Sequence, residues 1–454
     1  MKRCILFLLG FILLLAFAIE SRAADVKFSG DFYATGMYLD ETTFRKDATG
    51  YPATAFYFQR LRVRTEFIVT PALKLITRFD AMERIWGGAR SAPSITADSL
   101  SAATRAENEN IAFDWAYVHY ASKLGLWRIG YMDDGAWGTV FADSSQPAGV
   151  IAWSYTTGPW YFILKTVKLK DSSRSVASPT TTATDVDADK YAAAFKYSWK
   201  GGSAGVLGGI GRDASKRPAP DNYLTFTYSL TPYAIAQLGP VKLQAEVSYA
   251  WGKLRDYDNG TADIKLTNLA AFLDAVADFG MFYTGGTFAY ISGDNPATAN
   301  KSEGGRISGG MDWNPCLLLW NYDRNYRAGT LYGHGGSVGP PDTRPQNASS
   351  MSNAWFGQLR GGIRPVSDLD IMASVSYAQA DKKPWATAGD PTSVYQKKDY
   401  GVEVDLIATY RITNNLSYML GGAYLFTGGY FKGMDATAKV SDNYLLINKL
   451  TLTF

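Results

Sequence analysis

The sequence predicts an all-β fold, a transmembrane antiparallel β-barrel of about 18 strands with short turns at one end and long loops at the other. Three observations indicate this fold. Runs of about ten residues alternate apolar with polar side chains, which is the pattern of a strand with two different faces. Short turns and longer polar loops follow these runs in alternation. Aromatic residues make up 14% of the chain, and its 29 tyrosines and 44 glycines favour β-structure.

The amino-terminal residues predict a secretory signal peptide. A basic start precedes an apolar run over residues 5–19, and a small-x-small cleavage pattern follows at residues 21–23. The run is about 15 residues long, which is short for a helix that crosses a bilayer. We therefore expect residues 1–23 to be removed and residues 24–454 to form the barrel.

Charge and residue usage exclude several classes of function. The formal charge of +3 would fall to about +1 after cleavage, so no global field attracts nucleic acid. Cleavage would leave Cys316 as the remaining cysteine, so we expect no intramolecular disulfide and interpret it as an ordinary thiol. His119 and His334 provide no convincing nucleophile and base pair, and the GGSAG pattern at residues 201–205 falls in a predicted turn. We predict no enzyme activity, no cofactor and no metal site.

A cationic row identifies the lumen face of an early strand. In QRLRVRTEF, residues 59–67, Arg60, Arg62 and Arg64 alternate with apolar side chains. Alternate side chains of a strand share one face, and a basic residue that faces lipid near the bilayer midplane costs about 2–4 kcal/mol. The arginines are therefore expected to face the lumen, and the apolar row to face lipid.

Neighbouring predicted strands add charge to the same lumen. The predicted pore-lining residues are Arg60, Arg62, Arg64, Glu66, Lys74, Arg78, Asp80, Arg84, Asp114, Glu403 and Asp405. We expect the five arginines to attract anions, and Glu66 and Asp80 to hold them in place as ion-pair partners. A purely structural lattice that braces the barrel is the alternative interpretation of this row.

The later part of the chain keeps the alternation up to its last residue. It also contains a long loop, residues 293–353, with an apolar stretch WNPCLLLWNY at residues 313–322. Two alternatives stay open for this loop: it folds into the pore as a constriction, or it caps the outside. The final segment NYLLINKLTLTF alternates apolar residues and ends in Phe454.

Three stretches resemble known bacterial proteins. The closing Phe454 resembles the signal that the barrel-assembly machinery of the outer membrane reads. Residues 400–433 resemble the carboxy-terminal strands of proteobacterial outer-membrane channels of the alginate-export and porin type, and YISGDN at residues 290–295 is similar to a strand end of that family. The chain resembles equally the channels of metal-respiring proteobacteria. The resemblance implies 18 strands, periplasmic turns, extracellular loops, an arginine-rich lumen wall and an outer-membrane location.

Together these features predict a porin for passive diffusion of ions and small hydrophilic solutes. An alginate-type exporter of anionic polysaccharide remains an alternative, as does a barrel scaffold around a protein partner such as a multihaem cytochrome. The expected partners are outer-membrane lipid and lipopolysaccharide, the barrel-assembly machinery and small hydrophilic solutes, with no nucleic acid. Self-association into a homo-oligomer stays open.

Overall fold

The computed structural model describes residues 25–40, 44–46, 53–87, 111–141, 147–171, 186–217, 220–308, 313–320, 350–385 and 390–454. The predicted signal peptide and parts of several predicted long loops lie outside these residues. Within the described ranges, no helix is long and apolar enough to cross a membrane.

The described residues form 21 strands and one 3₁₀-helix at Gly429–Lys432. The strands are β1 (Asp25–Leu39), β2 (Thr54–Thr70), β3 (Leu73–Ile85), β4 (Ile111–Ser122), β5 (Gly125–Asp133), β6 (Pro147–Thr157), β7 (Trp160–Lys170), β8 (Ala188–Trp199), β9 (Gly202–Asp213), β10 (Tyr223–Leu238), β11 (Val241–Tyr257), β12 (Ile264–Asp278), β13 (Phe282–Ile291), β14 (Lys301–Ser302), β15 (Arg306–Ser308), β16 (Ser350–Ser352), β17 (Ala354–Val366), β18 (Leu369–Gln379), β19 (Asp399–Arg411), β20 (Leu416–Thr427) and β21 (Asn443–Thr453).

Eighteen of these strands, β1 to β13 and β17 to β21, form a closed antiparallel barrel. Each wall strand pairs with its neighbour along the chain, and β21 pairs with β1 to close the ring. Short turns join β2 to β3, β4 to β5 and the equivalent later pairs at one end, which we name the short-turn rim. Longer connections gather at the other end, the long-loop rim. The predicted fold class is confirmed.

The two faces of the wall differ as the alternation of a strand requires. On β21, Leu445 and Ile447 are buried inside the barrel, whereas Leu446 between them is exposed on the outside. Aromatic rings also cover the exterior, where Tyr228 stacks on Trp251 with ring centroids 5.6 Å apart. An apolar exterior with aromatic residues is typical of a barrel that faces lipid.

Two loop segments fold into the barrel near the long-loop rim. Residues 313–320, the inner segment, are mostly buried, and Leu318 and Leu319 are fully buried. Residues 134–141 form a second inward loop, whose Phe141 ring lies 5.3 Å from that of Trp313. We name these two segments together the plug. Residues 313–320 of the predicted loop 293–353 therefore lie inside the barrel rather than over its rim.

The plug gives part of the lumen a hydrophobic core. It packs against interior side chains of wall strands on both sides of the closing seam, which include Tyr33, Met37, Phe58, Phe272, Ile291, Phe356, Tyr400, Leu425, Leu445 and Ile447. Burial of apolar side chains of this size is worth about 1.5–3 kcal/mol each relative to exposure to water. This side of the lumen is therefore filled with packed protein, not water.

Candidate functional site

Arg62 and Arg60 of β2 lie on the lumen face and pair with carboxylates of both neighbouring strands. The antiparallel register sets Arg62 opposite Asp31 of β1 and Asp80 of β3. Arg62 donates from Nε and Nη2 to the two carboxylate oxygens of Asp80, each over 2.6 Å. Arg60 lies 3.2 Å from Asp31 and 3.8 Å from Glu83. The two-pronged pair with Asp80 fixes the direction of the Arg62 guanidinium.

Further along β2, one carboxylate serves two cations. Glu66 forms one ion pair with Arg64 at 2.7 Å and another with Lys74 of β3 at 2.9 Å. The solvent-exposed fraction of the side chain is 38% for Arg64 and 28% for Lys74. Because these charges keep contact with open space, this part of the wall borders a water-accessible region.

Arg78 extends the charged wall to β4 and β5. Its guanidinium pairs with Asp114, lies 3.5 Å from Asp133 and stacks 3.7 Å above the ring of Trp115. The ion-paired wall thus contains five cations and six carboxylates: Arg60, Arg62, Arg64, Lys74, Arg78, Asp31, Glu66, Asp80, Glu83, Asp114 and Asp133. Its charges are nearly balanced, so the wall is less cationic than its arginines alone suggest.

Arg84 departs from the predicted arginine row. Met82 adopts a positive φ of 55°, and the register between β2 and β3 shifts next to it. Beyond this bulge Phe58 pairs with Ile85, and both pack in the interior cluster. Since adjacent strand residues face opposite sides, Arg84 lies on the other face of the wall, where it is buried. A bulge inserts one residue and reverses the alternation that the sequence predicts.

Glu403 and Asp405 of β19 lie on the interior face but beneath the plug. Both are buried, and Glu403 accepts the backbone N–H groups of Leu318 at 2.6 Å and Leu319 at 2.7 Å. Asp405 accepts the hydroxyl of Ser374 at 3.1 Å. The two carboxyl groups therefore anchor the inner segment to the wall and do not border open space, in contrast to the predicted pore-lining role.

Cys316 lies in the inner segment next to these carboxyl groups. Its thiol is buried, and burial together with the charges of Glu403 and Asp405 raises the pKa of Cys316 well above its usual range. The cysteine is therefore a neutral thiol unless a cation lies nearby.

Arg128 of β5 is a lumen cation that sequence reasoning missed. It lies opposite His119 of β4 in the register. Among the described residues it forms no ion pair, and its buried Nε has no hydrogen-bond partner. The signal was available, because Arg128 stands between Trp127 and Ile129, whose exposed side chains mark the outer face.

Lys165 of β7 and Lys190 of β8 continue the charged lumen surface and were also missed. Lys165 donates a hydrogen bond from Nζ to the backbone carbonyl oxygen of Asp134. Lys190 pairs with Asp134 of the inward loop at 2.6 Å. The plug thus meets a basic surface on one side and the buried carboxyl groups of β19 on the other.

Tyr33 of β1 marks the border between plug and charged wall. Its ring is almost completely buried in the interior cluster. The Arg60 guanidinium lies 4.9 Å from the ring centroid, and the Lys449 ammonium lies 4.7 Å from it. Contacts of this kind stabilise a cation beside an aromatic face, so the charged wall is held against the plug at this point.

Phe454, the predicted assembly signal, takes part in closing the ring. Its backbone exchanges two hydrogen bonds with Gly30 of β1, of 2.9 and 3.0 Å. A Cβ added at Gly30 would lie 2.1 Å from the Arg62 carbonyl oxygen and 2.9 Å from the Phe454 ring. Glycine is therefore the residue that lets the seam close here. The recognition of Phe454 by assembly machinery stays a prediction.

No protein-family model matches the chain, and no curated protein matches it. Among solved structures it is similar to the outer membrane protein OprD from Pseudomonas aeruginosa, with 13% identity, a TM-score of 0.51 and coverage of 96% of each chain. A substituted variant of OccD1 (OprD) aligns with the same identity and TM-score over 96% of this chain and 98% of that chain. The outer membrane channel DcaP of Acinetobacter baumannii aligns over 96% of this chain and 99% of that chain, with 11% identity and a TM-score of 0.45.

At these identities the two OprD structures support the fold, a closed antiparallel β-barrel, and not a role or a substrate. The resemblance to alginate-export channels and to channels of metal-respiring bacteria stays a prediction.

Proposed function

We propose that the chain is an outer-membrane channel through which ions and small hydrophilic solutes diffuse along the charged side of the lumen. The observation that carries this proposal is the partly exposed row of ion-paired side chains on β2 and β3, beside a plug that fills the lumen along β12, β13 and β17 to β21. Arg64 and Lys74 keep 38% and 28% of their exposure, whereas Glu403 beneath the plug keeps none. Water and solutes would therefore pass between the plug and the charged side.

The charge distribution suggests how ions would be selected. Paired arginines such as Arg62 contribute a polar, hydrated surface with little net charge, because a carboxylate lies within 2.6 Å. Arg128 adds positive charge without a partner among the described residues, which favours entry of anions. We propose a modest anion preference that depends on such uncompensated cations more than on the number of arginines.

The filled lumen argues against a scaffold around a protein partner, and the paired charges argue against a polysaccharide exporter. A scaffold around a protein partner needs an open bore, but the interior cluster fills the lumen next to β12, β13 and β17 to β21. A polysaccharide exporter for an anionic chain would favour a continuous cationic path, whereas the cations of β2 and β3 are neutralised by nearby carboxylates. Small solutes fit the remaining space better than either.

The surroundings of the barrel follow from the same proposal. Its apolar exterior would contact outer-membrane lipid and lipopolysaccharide, and the barrel-assembly machinery would read its last strand. The signal peptide would direct export. Self-association is compatible with the exterior, since exposed apolar side chains there can meet lipid or a second copy equally well.

Single-channel recording in a planar bilayer under a salt gradient tests the channel proposal. We expect stable open steps from the natural chain, with a reversal potential that shows anion preference. Changing Arg60, Arg62 and Arg64 together to Ala should lower that preference, because three lumen cations are removed. Arg411→Ala is the matched control, since Arg411 is exposed at the short-turn rim and pairs with Asp368 at 2.6 Å.

Folding of each variant is checked by heat-modifiable migration in gel electrophoresis. If the triple variant does not fold, Arg64→Ala alone replaces it, because Arg64 is the most exposed of the three. Absence of conductance from a correctly folded natural barrel would refute the channel proposal.

A further inference from the structure

A thiol and two carboxyl groups converge inside the barrel. Cys316 of the inner segment meets Glu403 and Asp405 of β19, and one donor atom from each lies within 4.8 Å of the other two. All three residues are buried, with exposures of 3%, 0% and 2%. They come from segments far apart in the chain, so the cluster exists only when the plug is docked.

The carboxyl groups of this cluster have no basic partner in the part of the chain that the structure describes, where no ion pair involves Glu403 or Asp405. Glu403 is partly satisfied, because two backbone N–H groups point at its oxygens. The Asp405 carboxylate accepts from Ser374 at Oδ2 and contacts Glu403 and the Leu317 backbone, while its buried Oδ1 has no hydrogen bond of normal geometry among the described residues.

A buried carboxylate oxygen without a hydrogen bond of normal geometry is costly, and two adjacent carboxylates add repulsion. Two arrangements can relieve this. The carboxyl groups can share a proton, as their hydrogen-bond contact allows. Alternatively, a cation can lie between them, and this arrangement also explains why a thiol occupies the third corner of the cluster.

We propose that Cys316, Glu403 and Asp405 bind a divalent metal ion of the Zn²⁺ class. One sulfur and two carboxylate oxygens suit Zn²⁺, which accepts thiolate and carboxylate ligands together in a tetrahedral site. The Ser376 hydroxyl, in hydrogen-bond contact with Cys316, or a water molecule can take the fourth position. On binding, the thiol proton is released to solvent and the metal takes up the thiolate.

The metal would act as a clip between plug and wall. Cys316 belongs to the inner segment, whereas both carboxyl groups belong to β19, so the ion would cross-link two parts that otherwise meet through backbone hydrogen bonds and apolar contacts. This inference rests on the cluster alone and not on the proposed channel function. The plug could be held in this way whether or not the barrel conducts.

Metal content and a spectroscopic probe test the proposal on the full chain. The protein is folded in detergent with Zn²⁺, freed of excess metal and analysed by mass spectrometry. We expect about one Zn²⁺ per folded chain. Folding with Co²⁺ instead should give a thiolate-to-cobalt charge-transfer band in the near ultraviolet, which reports directly on a sulfur ligand.

Three variants assign the ligands. Cys316→Ser should abolish the charge-transfer band, and Asp405→Asn should weaken Zn²⁺ binding about tenfold or more. Asp274→Asn is the matched control, because Asp274 is also a buried interior carboxylate but is held by Thr287 at 2.6 Å and by Arg360 at 2.7 Å, both residues of the wall and not of the plug. It should bind Zn²⁺ like the natural chain.

Two outcomes would overturn the proposal, and the first needs only the natural chain, so it holds even if a variant fails to fold. The first is a correctly folded natural chain that retains almost no Zn²⁺ and shows no cobalt–thiolate band, which would favour the shared proton. The second is Zn²⁺ binding that is equal in the natural chain, Cys316→Ser and Asp405→Asn, which would mean adventitious binding elsewhere.

Discussion

Arg62 and Asp80 form a two-pronged ion pair across β2 and β3, with both hydrogen bonds 2.6 Å long. The Asp80 side chain is buried, with 7% of its surface exposed, whereas 22% of the Arg62 side chain surface is exposed. The pair therefore lies at the border between the wall and the water-accessible lumen. Its energetic role differs from that of a surface ion pair, because the carboxylate has little access to water once the arginine is lost.

Removing Arg62 alone should destabilise the barrel, and removing both Arg62 and Asp80 should cost less than the sum of the two single changes. We expect Arg62→Ala to cost about 1–3 kcal/mol, because it leaves a buried carboxylate without its main donor. Arg62→Ala combined with Asp80→Ala should cost less than the sum of the single changes, with a coupling of about 1–2 kcal/mol. Urea unfolding in lipid vesicles, followed by tryptophan fluorescence, measures all four proteins. Strict additivity would show that the pair contributes no coupling.

Arg128 should affect ion selectivity more than the Arg62–Asp80 pair does. Arg62 is neutralised by Asp80, whereas Arg128 has no ion-pair partner among the described residues. We therefore expect Arg128→Ala, which removes one uncompensated positive charge, to lower the anion preference more than the Arg62→Ala/Asp80→Ala double variant, which removes a neutral pair. Reversal potentials under a salt gradient measure this. An unchanged potential in Arg128→Ala would place Arg128 outside the permeation path.

Loosening the plug should increase conductance. Leu318 is fully buried in the inner segment, so Leu318→Ala should cost about 2–5 kcal/mol of packing, while its backbone hydrogen bond to Glu403 is kept. Leu359→Ala is the matched control, because Leu359 is 74% exposed on the outer face. Single-channel recordings should show larger or noisier open steps for Leu318→Ala only. Identical recordings from both variants would mean that the plug does not limit flow.

The seam between β1 and β21 should tolerate no side chain at Gly30. A Cβ there would lie 2.1 Å from the Arg62 carbonyl oxygen of β2 and 2.9 Å from the Phe454 ring at the seam, so Gly30→Ala should cost about 1–3 kcal/mol or lower the folded yield. At Gly357 of β17 nothing lies within 4 Å of an added Cβ, which makes Gly357→Ala the matched control. Heat-modifiable migration measures the folded fraction of each. Equal yields would contradict the role assigned to Gly30.

The alternation of β2 was readable from the sequence because its two faces meet different solvents. Arg60, Arg62 and Arg64 border polar partners, and the residues between them face the apolar exterior, so one period-2 pattern records both environments. The strand count and the order of short and long connections follow from the same contrast. The lumen side of Arg128 was predictable in this way too.

Other features leave no such local signal. Leu445 and Leu446 are both apolar, although one faces the plug and the other the exterior, so alternation disappears where the interior is filled. Arg84 changes face because of a bulge at Met82, a residue type that rarely marks a positive φ. The partners of Glu403 depend on where a distant loop folds, and no nearby residue records this.

The contact between Phe141 and Trp313 also constrains the order of events during folding. The two residues are about 170 positions apart, and contacts between such distant segments form slowly because a large loop must close first. Neighbouring strands can pair before either inward loop has found the other. A late intermediate would then be a ring of strands with unpacked apolar loops, and its slowest step would be the collapse of its interior rather than the pairing of its wall.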